Sequence, residues 1–462
     1  MKAILATVAS AVLFFFGTGL DPLPELAWLA PLPILLLAPR VHGGIVLASA
    51  FTAYLAGSAG SWSYFWHSQS IPRPAALAIL VGSAVLFALS AGLFGRLARR
   101  GHGFLAALAA PALWTVALYV VSLLNPTGLM GTFMTTQADR PSIVRIAAIT
   151  GGWGVEFLVL FVPAAVAAAL TPGRTRFVPV VALAAIAGGL ALWTTPPAPA
   201  HSTKVALIAP GQNRWAIDVA TRDGQTLVQS YVDQIAKLPD GVKTVVLPEA
   251  AFAVDQTSRP SLVAALAEVA RARDLDVVTG VLDATPDGRF NAALAVPPSG
   301  APIEYRKWHN GDSPNLRDGT ELTRFAGTGL MVCMDVNFAD PSRGYGDAGT
   351  GLVLIPASDE VADGWAHSRT ALIRGVENGF SVAWSAARGT PMLADAQGHV
   401  LADARTGGNP FSVVVADVPF GAGKTPYARF GDWFAWLCGL LAAAGIAATA
   451  RRTSDLESQL VA

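Results

Sequence analysis

Polar residues are scarce in the first two-fifths of the chain, and apolar runs recur there at a nearly constant length. They fall at about 3–20, 24–39, 43–64, 74–95, 103–124, 150–171 and 177–194, and an eighth lies at 433–450. A helix needs roughly 20 apolar residues to cross the hydrocarbon core of a bilayer. The pattern therefore predicts about eight spans, seven of them before residue 195. The first run follows Lys2 as a signal peptide would, but further spans follow it at once, which predicts a retained helix. The second run, "PLPELAWLAPLPILLLAPR", is punctuated by proline. Each proline removes a backbone donor, so this segment is expected to be broken or short, with neighbours satisfying the freed groups.

The pattern changes at "TTPPAPAHS", Thr194 to Ser202. Beyond this proline-rich exit, short β-rich runs alternate with amphipathic stretches. Strands are predicted at 204–209, 244–250, 276–282, 291–296, 329–335, 351–357, 381–387 and 411–418. Helices are predicted at about 221–238, 259–273 and 363–378. A block of this size can bury its own core as one α/β domain. The expected layout is a membrane domain over 1–195, an α/β domain over 203–425, a last span over 430–452 and a tail over 453–462.

Composition agrees. The 462 residues are 53% hydrophobic and only 14% charged, with a mean hydropathy of +0.47, too apolar for an ordinary soluble protein. Only 14 of the 64 Lys, Arg, Asp and Glu residues precede position 201. The net charge is zero, so nothing points to nucleic acid. Lys2, Arg40, Arg96, Arg99, Arg100, Arg174, Arg176, Arg451 and Arg452 fall on one side of an eight-span arrangement. By the positive-inside rule that side is the cytoplasm. Both termini are then cytoplasmic and the α/β block is extracytoplasmic.

Two cysteines give no disulfide framework. Cys438 sits in the last apolar run and reads as a bystander. Cys333 is placed differently, in "GTGLMVCMDVN", where an apolar strand gives way to a polar loop. An isolated cysteine is commonly a small core residue; a nucleophile needs a base and a group to hold the oxyanion. Glu249 closes the strand "TVVLPEA" directly after proline, and Lys307 follows a short strand in "IEYRKWHN". Strand ends are where α/β domains gather functional groups. The seven histidines show no ligand-like spacing, so no metal is expected.

The order Glu249, Lys307, Cys333 resembles the Glu-Lys-Cys triad of the nitrilase, or carbon–nitrogen hydrolase, superfamily. The surrounding words "LPEAAF", "YRKWH", "VCMDVNFAD", "HSRTALIRGVENG" and "ARGTPMLADAQGHVL" are similar too. With spans on both sides, the chain resembles the apolipoprotein N-acyltransferase family. "RIAAITGGWGVEFLVLF" is similar to that family's sixth span, "PGQNRW" to the start of its nitrilase domain, and "YARFGDWFAW" to the entry of its last span.

The resemblance implies an αββα sandwich carried by a multi-pass domain in the bacterial cytoplasmic membrane, with a monomer expected. It implies that Glu249 is the general base, that Cys333 attacks the acyl ester of a phospholipid, and that Lys307 holds the oxyanion. The thioester then passes its acyl chain to the α-amine of a diacylated apolipoprotein. No cofactor is required. Trp215, in "PGQNRW", becomes an acyl-chain contact, and Glu377 and Arg388 become braces of the site. The family's Phe-Gly-Glu-Tyr motif after the lysine is absent. In its place stands "KWHNGDSPNLRDGTEL", whose Asp312 and Glu321 are candidates to meet the acceptor amine. This segment is rich in Gly, Asp, Asn and Pro and is expected to be a mobile lid. Cys333-Met334-Asp335 replaces the family's Cys-Tyr-Glu, which makes Asp335 a candidate substrate contact. Three readings stay open: the acyltransferase, a membrane-bound amidase or acyltransferase for another amine, and a weakly active lipid- or lipoprotein-binding paralogue.

Overall fold

The structure, a computed structural model, describes residues 1–68, 71–172, 201–212, 215–311, 313 and 315–460, with the single positions 178, 181, 184 and 189. The expected span at 177–194 and Asp312 therefore lie outside the described residues, the four single positions aside.

Among the described residues four helices are long and apolar enough to cross a bilayer: Arg73–Arg99, Gly103–Leu124, Gly152–Ala169 and Trp433–Ala450. A fifth candidate is the pair Gly43–Gly57 and Ala59–His67, bent by 62°. The run at 177–194 lies outside the described residues, and two further runs do not form a single span. The first run folds into Lys2–Gly17, 16 residues, or about 24 Å at 1.5 Å per residue, short of the hydrocarbon thickness. The second is cut by its prolines into helices Pro24–Leu29 and Leu32–Leu37 and the 3₁₀ turn Ala38–Arg40. Proline opens or nearly opens each piece, where its missing N–H costs nothing.

Gly152–Ala169 runs through the middle of the helices, and its Glu156 is fully buried. Both carboxylate oxygens are used: Trp114 Nε1 donates at 2.7 Å and the Met134 backbone N–H at 2.8 Å. This span carboxylate is a tether for the 133–136 turn. At one end of the helices the basic residues converge on carbonyl groups. Arg99 donates to Ala38 O at 2.6 Å, and Arg96 and Arg100 donate to Thr449 O at 3.2 and 2.5 Å. The α/β domain sits at the other end.

That domain is built on two sheets. The first contains β1 (Ser202–Pro210), β2 (Ile217–Asp218), β3 (Thr244–Val246), β4 (Phe252–Asp255), β5 (Asp276–Thr285), β6 (Gly288–Val296), β7 (Ile303–Arg306) and β14 (Phe411–Pro419). The second contains β8 (Arg324–Phe325), β9 (Thr328–Leu330), β10 (Leu352–Ser358), β11 (Ser381–Ala387), β12 (Met392–Ala394) and β13 (Val400–Asp403), in the order β13-β12-β11-β10-β9-β8. β3 is parallel to β1 and β5, and β10 is parallel to β9 and β11. The strands read as unbroken apolar runs because both faces are covered. Val205 and Leu207 of β1 pack with Leu354 of the second sheet, while Ala206 and Ile208 pack with Leu227 and Leu266 of the outer helices. Those helices, Arg222–Ala236 and Arg259–Arg273, cover the first sheet, and Gly364–Asn378 covers the second. The result is the expected αββα sandwich.

Gly364–Asn378 also faces the membrane half. Arg369 reaches Asp139 at 2.6 Å and Asp403 at 2.8 Å. Glu377 accepts from the Gly152 backbone N–H at 2.6 Å, at the head of the central helix, and pairs with Arg374 at 2.5 Å. The segment before that helix joins the catalytic side through Leu129 N–H to Asn337 O, 3.1 Å, and Asn337 Nδ2 to Thr127 O, 3.1 Å.

Candidate active site

β3 stops at Val246, earlier than expected, because Leu247-Pro248-Glu249 turns across the strand ends. Glu249 is buried, and its backbone N–H donates to Ala357 O of β10 at 3.1 Å, tying the two sheets together beneath it. The turn rests on Gly280 of β5: a Cβ there would lie 2.4 Å from Glu249 Cα. The Glu249 carboxylate accepts from Lys307 Nζ at 2.9 Å and from Asn291 Nδ2 at 2.7 Å. Lys307 is buried as well, and its own N–H donates to Asn291 O at 2.8 Å. Asn291 thus fixes both partners. It escaped the sequence reading, although an Asn opening the apolar strand "NAALAV" was a visible signal.

Cys333 lies beyond β9, not within a strand. It opens the 3₁₀ turn Cys333–Asn337 with a φ of +42°. A left-handed conformation costs a non-glycine residue of order 1 kcal/mol, and such strain collects at functional sites. Sγ donates to Ser358 O, at the end of β10, at 3.4 Å. Burial pushes the thiol well above its ordinary range; the Glu249 charge raises it further and the Lys307 charge opposes both. At rest the sulfur is therefore a thiol, and its attack must be coupled to loss of the proton.

Asp335 is held differently from a group that is free to meet a substrate. It is fully buried and both oxygens are engaged: Tyr305 Oη donates at 2.7 Å, Val332 N–H at 3.1 Å, Trp308 N–H at 3.2 Å, His309 N–H at 3.1 Å, and His309 Nδ1 lies at 3.1 Å. It ties the backbone after Lys307 to the turn of Cys333. Described residues of the segment expected as a lid make contacts of their own. Within 309–322, Arg317 N–H donates to Arg289 O at 2.9 Å and Gly319 N–H to Lys307 O at 2.7 Å. Asp318 accepts from Asn310 at 3.0 Å, and the carbonyl of exposed Glu321 accepts from Trp308 Nε1 at 3.2 Å. These described residues are bonded to their surroundings.

Trp215 is 43% exposed. It lines a crevice with Pro210, Tyr231, Pro248, Glu249 and Ser358, so an apolar face stands beside the candidate base. Cys438 is fully buried among the helices. The structure also gathers a cluster that sequence spacing did not show: Cys333 Sγ, a carboxylate oxygen of Asp359 and a ring nitrogen of His367 lie within 4.8 Å of one another.

Comparison with known proteins extends this geometry to the whole chain. The family model of the apolipoprotein N-acyltransferase N-terminal domain matches residues 10–165, and that of carbon–nitrogen hydrolase matches residues 204–424. An apolipoprotein N-acyltransferase of Geobacter metallireducens is 26% identical over 99% of this chain and 96% of its own. One from Gloeobacter violaceus is 25% identical over 92% of this chain and 89% of its own. An (R)-stereoselective amidase of Pseudomonas sp. is 26% identical over 35% of this chain and 66% of its own. Among solved structures, an amidase from Nesterenkonia sp. aligns at 19% identity and a TM-score of 0.42, over 51% of this chain and 96% of that chain. Because one family model lies on the helices, the other on the sandwich, and named relatives run the length of both, the chain belongs to the apolipoprotein N-acyltransferase family within the carbon–nitrogen hydrolase superfamily.

Proposed function

We propose that the protein moves an acyl chain from a phospholipid, through a thioester on Cys333, to the α-amine of a diacylated apolipoprotein. The observation that carries this reading is the buried Lys307–Glu249 pair, whose two charges both bear on the strained Cys333 thiol, in a chain that also holds membrane-length helices. Glu249 takes the Sγ proton as sulfur bonds to the ester carbonyl carbon. The oxyanion that forms is met by Lys307 Nζ in a site shielded from water, where a fixed charge acts most strongly. Collapse breaks the C–O bond, and Glu249 returns the proton to the leaving lysophospholipid. The acceptor amine then attacks the thioester carbon, the C–S bond breaks, and an amide is formed. Asn291 and Asp335 position these groups. Trp215 offers its exposed ring to the acyl chain at the crevice. Glu321 and Asp312, which follow Lys307 in the sequence, are the carboxylates proposed for the acceptor side.

The setting we propose is a bacterial cytoplasmic membrane, with the arginine-rich end of the helices in the cytoplasm and the sandwich outside it. Both substrates are lipid-anchored, which explains why the sandwich is held against the helices by Arg369, Glu377 and Asn337. Intact-protein mass measurement tests the reading. Incubation with phospholipid should add one acyl mass to the wild-type protein and none to Cys333→Ala, and a diacylated lipopeptide should then remove it. Loss of the adduct to water alone would make the protein a hydrolase; no adduct at all would leave it a binding paralogue.

A further inference from the structure

Proton counting separates the two half-reactions. In the first, a thiol and an ester become a thioester and an alcohol. The single proton leaving Sγ is delivered to the departing alkoxide, and Glu249 ends as it began. In the second, an α-ammonium with three N–H protons becomes an amide with one. An α-amine has a pKa of about 7.7–8.0, so at neutral pH it arrives mainly charged. One of its two lost protons returns to Sγ as the C–S bond breaks. The other is surplus, and Glu249 carries only one proton at a time.

The structure holds a second base at the required place. His367 is buried, with its ring edge-on to Trp384 at a centroid distance of 4.7 Å. Nδ1 lies 2.9 Å from Asp359 Oδ1, an arrangement in which Nδ1–H donates and Nε2 is left as the acceptor. Nε2 has no hydrogen-bond partner among the described residues, which is uncommon for a buried polar atom. Asp359 is itself fixed: its N–H donates to Ala387 O at 3.0 Å, and a Cβ on Gly389 would lie 2.0 Å from its Oδ2. Burial weakens the ring's hold on a proton, but the hydrogen bond and charge of Asp359 and the charges of Asp363 and Glu249 outweigh it, which makes the imidazole a stronger base than an ordinary histidine. A ring nitrogen and Cys333 Sγ fall within the same 4.8 Å cluster, so an amine attacking the thioester carbon is within reach of the ring.

We propose that His367, oriented by Asp359, is the base that strips the surplus proton from the acceptor ammonium. Nε2 takes one N–H proton; the neutral nitrogen forms the C–N bond; the C–S bond breaks; Glu249 passes the second N–H proton to Sγ; the imidazolium releases its proton to solvent. The inference rests on the acyl-transfer reading above.

The test uses the full-length protein and two acceptors: a diacylated lipopeptide, and hydroxylamine, which is neutral at pH 7 and brings no surplus proton. His367→Asn keeps a donor toward Asp359 and removes the base. It should form the acyl adduct within about threefold of the wild-type rate and lose roughly 10²-fold in transfer to lipopeptide. Its transfer to hydroxylamine should stay within a few-fold of wild type. Asp359→Asn, which keeps the shape and weakens the base, should show the same split with a smaller loss. Wild-type lipopeptide transfer in His367→Asn overturns the proposal. So does an equal loss with both acceptors, and so does failure of both His367→Asn and His367→Gln to form the adduct. Absence of the adduct in the wild-type protein would instead overturn the acyl-transfer reading.

Discussion

Replacing Asp335 by Asn changes one atom and tests whether this carboxylate aligns the site. The cheaper amide orientation keeps oxygen toward the Trp308 N–H, the His309 N–H and His309 Nδ1, and turns the NH₂ toward Tyr305 and Val332. The Tyr305 hydroxyl can rotate to accept; the Val332 N–H cannot, and is stranded. One stranded buried donor costs about 1–3 kcal/mol, and three bonds that lose charge assistance weaken by about 1 kcal/mol each. The sum is roughly 4–6 kcal/mol. For a domain of this size each kcal/mol moves Tm by about 2–4 °C, so a fall of about 10–20 °C is expected for the purified protein in detergent. The same bonds set Lys307 against Cys333, and a small misplacement of reacting groups can cost about 10²-fold. Acyl-adduct formation, followed by intact mass, should slow accordingly. A variant that melts with the wild type and acylates at its rate would show that Asp335 holds nothing in place.

Glu249→Gln and Lys307→Met should each slow adduct formation, the lysine change by about 10²–10³-fold, and each should also lower Tm, because it leaves the other member of a buried pair without its charge partner; an unchanged rate removes that residue from the mechanism. Glu377→Gln leaves Arg374 buried without its charge partner and should cost about 3–5 kcal/mol, read as a lower Tm; no change would mean that the helix docking does not depend on this pair. The Asp363 carboxyl is pushed up to about 7, first by burial and next by the charge of Asp359. Its folded pKa is raised, so its contribution to stability is complete below the ordinary value of about 3.9 and is lost as pH rises through about 7. Asp363→Asn, which can still accept from Tyr64 Oη (2.7 Å in the parent), should raise Tm at pH 8 and leave it nearly unchanged at pH 4; equal shifts at both would refute the assignment.

The sandwich was legible because its strands carry their burial in their composition: Val205 to Ala209 are apolar on both faces and are covered on both. The outer helices were equally plain from amphipathic spacing. The spans were legible as apolar runs but not as lengths. Hydropathy does not register that prolines 24, 31, 33 and 39 divide one run, or that Ser58 separates two helices at 62°. Glu249 and Lys307 were readable from their odd positions at strand ends, and the structure brings them into one hydrogen bond. Asn291, Asp359 and His367 were not readable, because their meaning depends on strands distant in sequence meeting at one edge. The positional contacts of Asp335 were not readable either: its neighbour Cys333 suggested chemistry, and its hydrogen-bond contacts with Tyr305, Trp308 and His309 come from a segment distant in sequence.

The contacts that join helix Gly364–Asn378 to the membrane half bear on how separable the two halves are. Arg369, Arg374 and Glu377 are each less than a tenth exposed only because Asp139, Gly152 and their neighbours cover them. Excision of 203–425 as a soluble fragment would uncover this strip and strand its ionic partners, so the fragment should aggregate even though its sheets are complete. The same logic governs chimeras. A sandwich transplanted from a relative should work only if residues 125–152 travel with it, because that short stretch, though far from 203–425 in sequence, supplies Thr127, Leu129, Asp139 and Gly152 to the contacts that seat it.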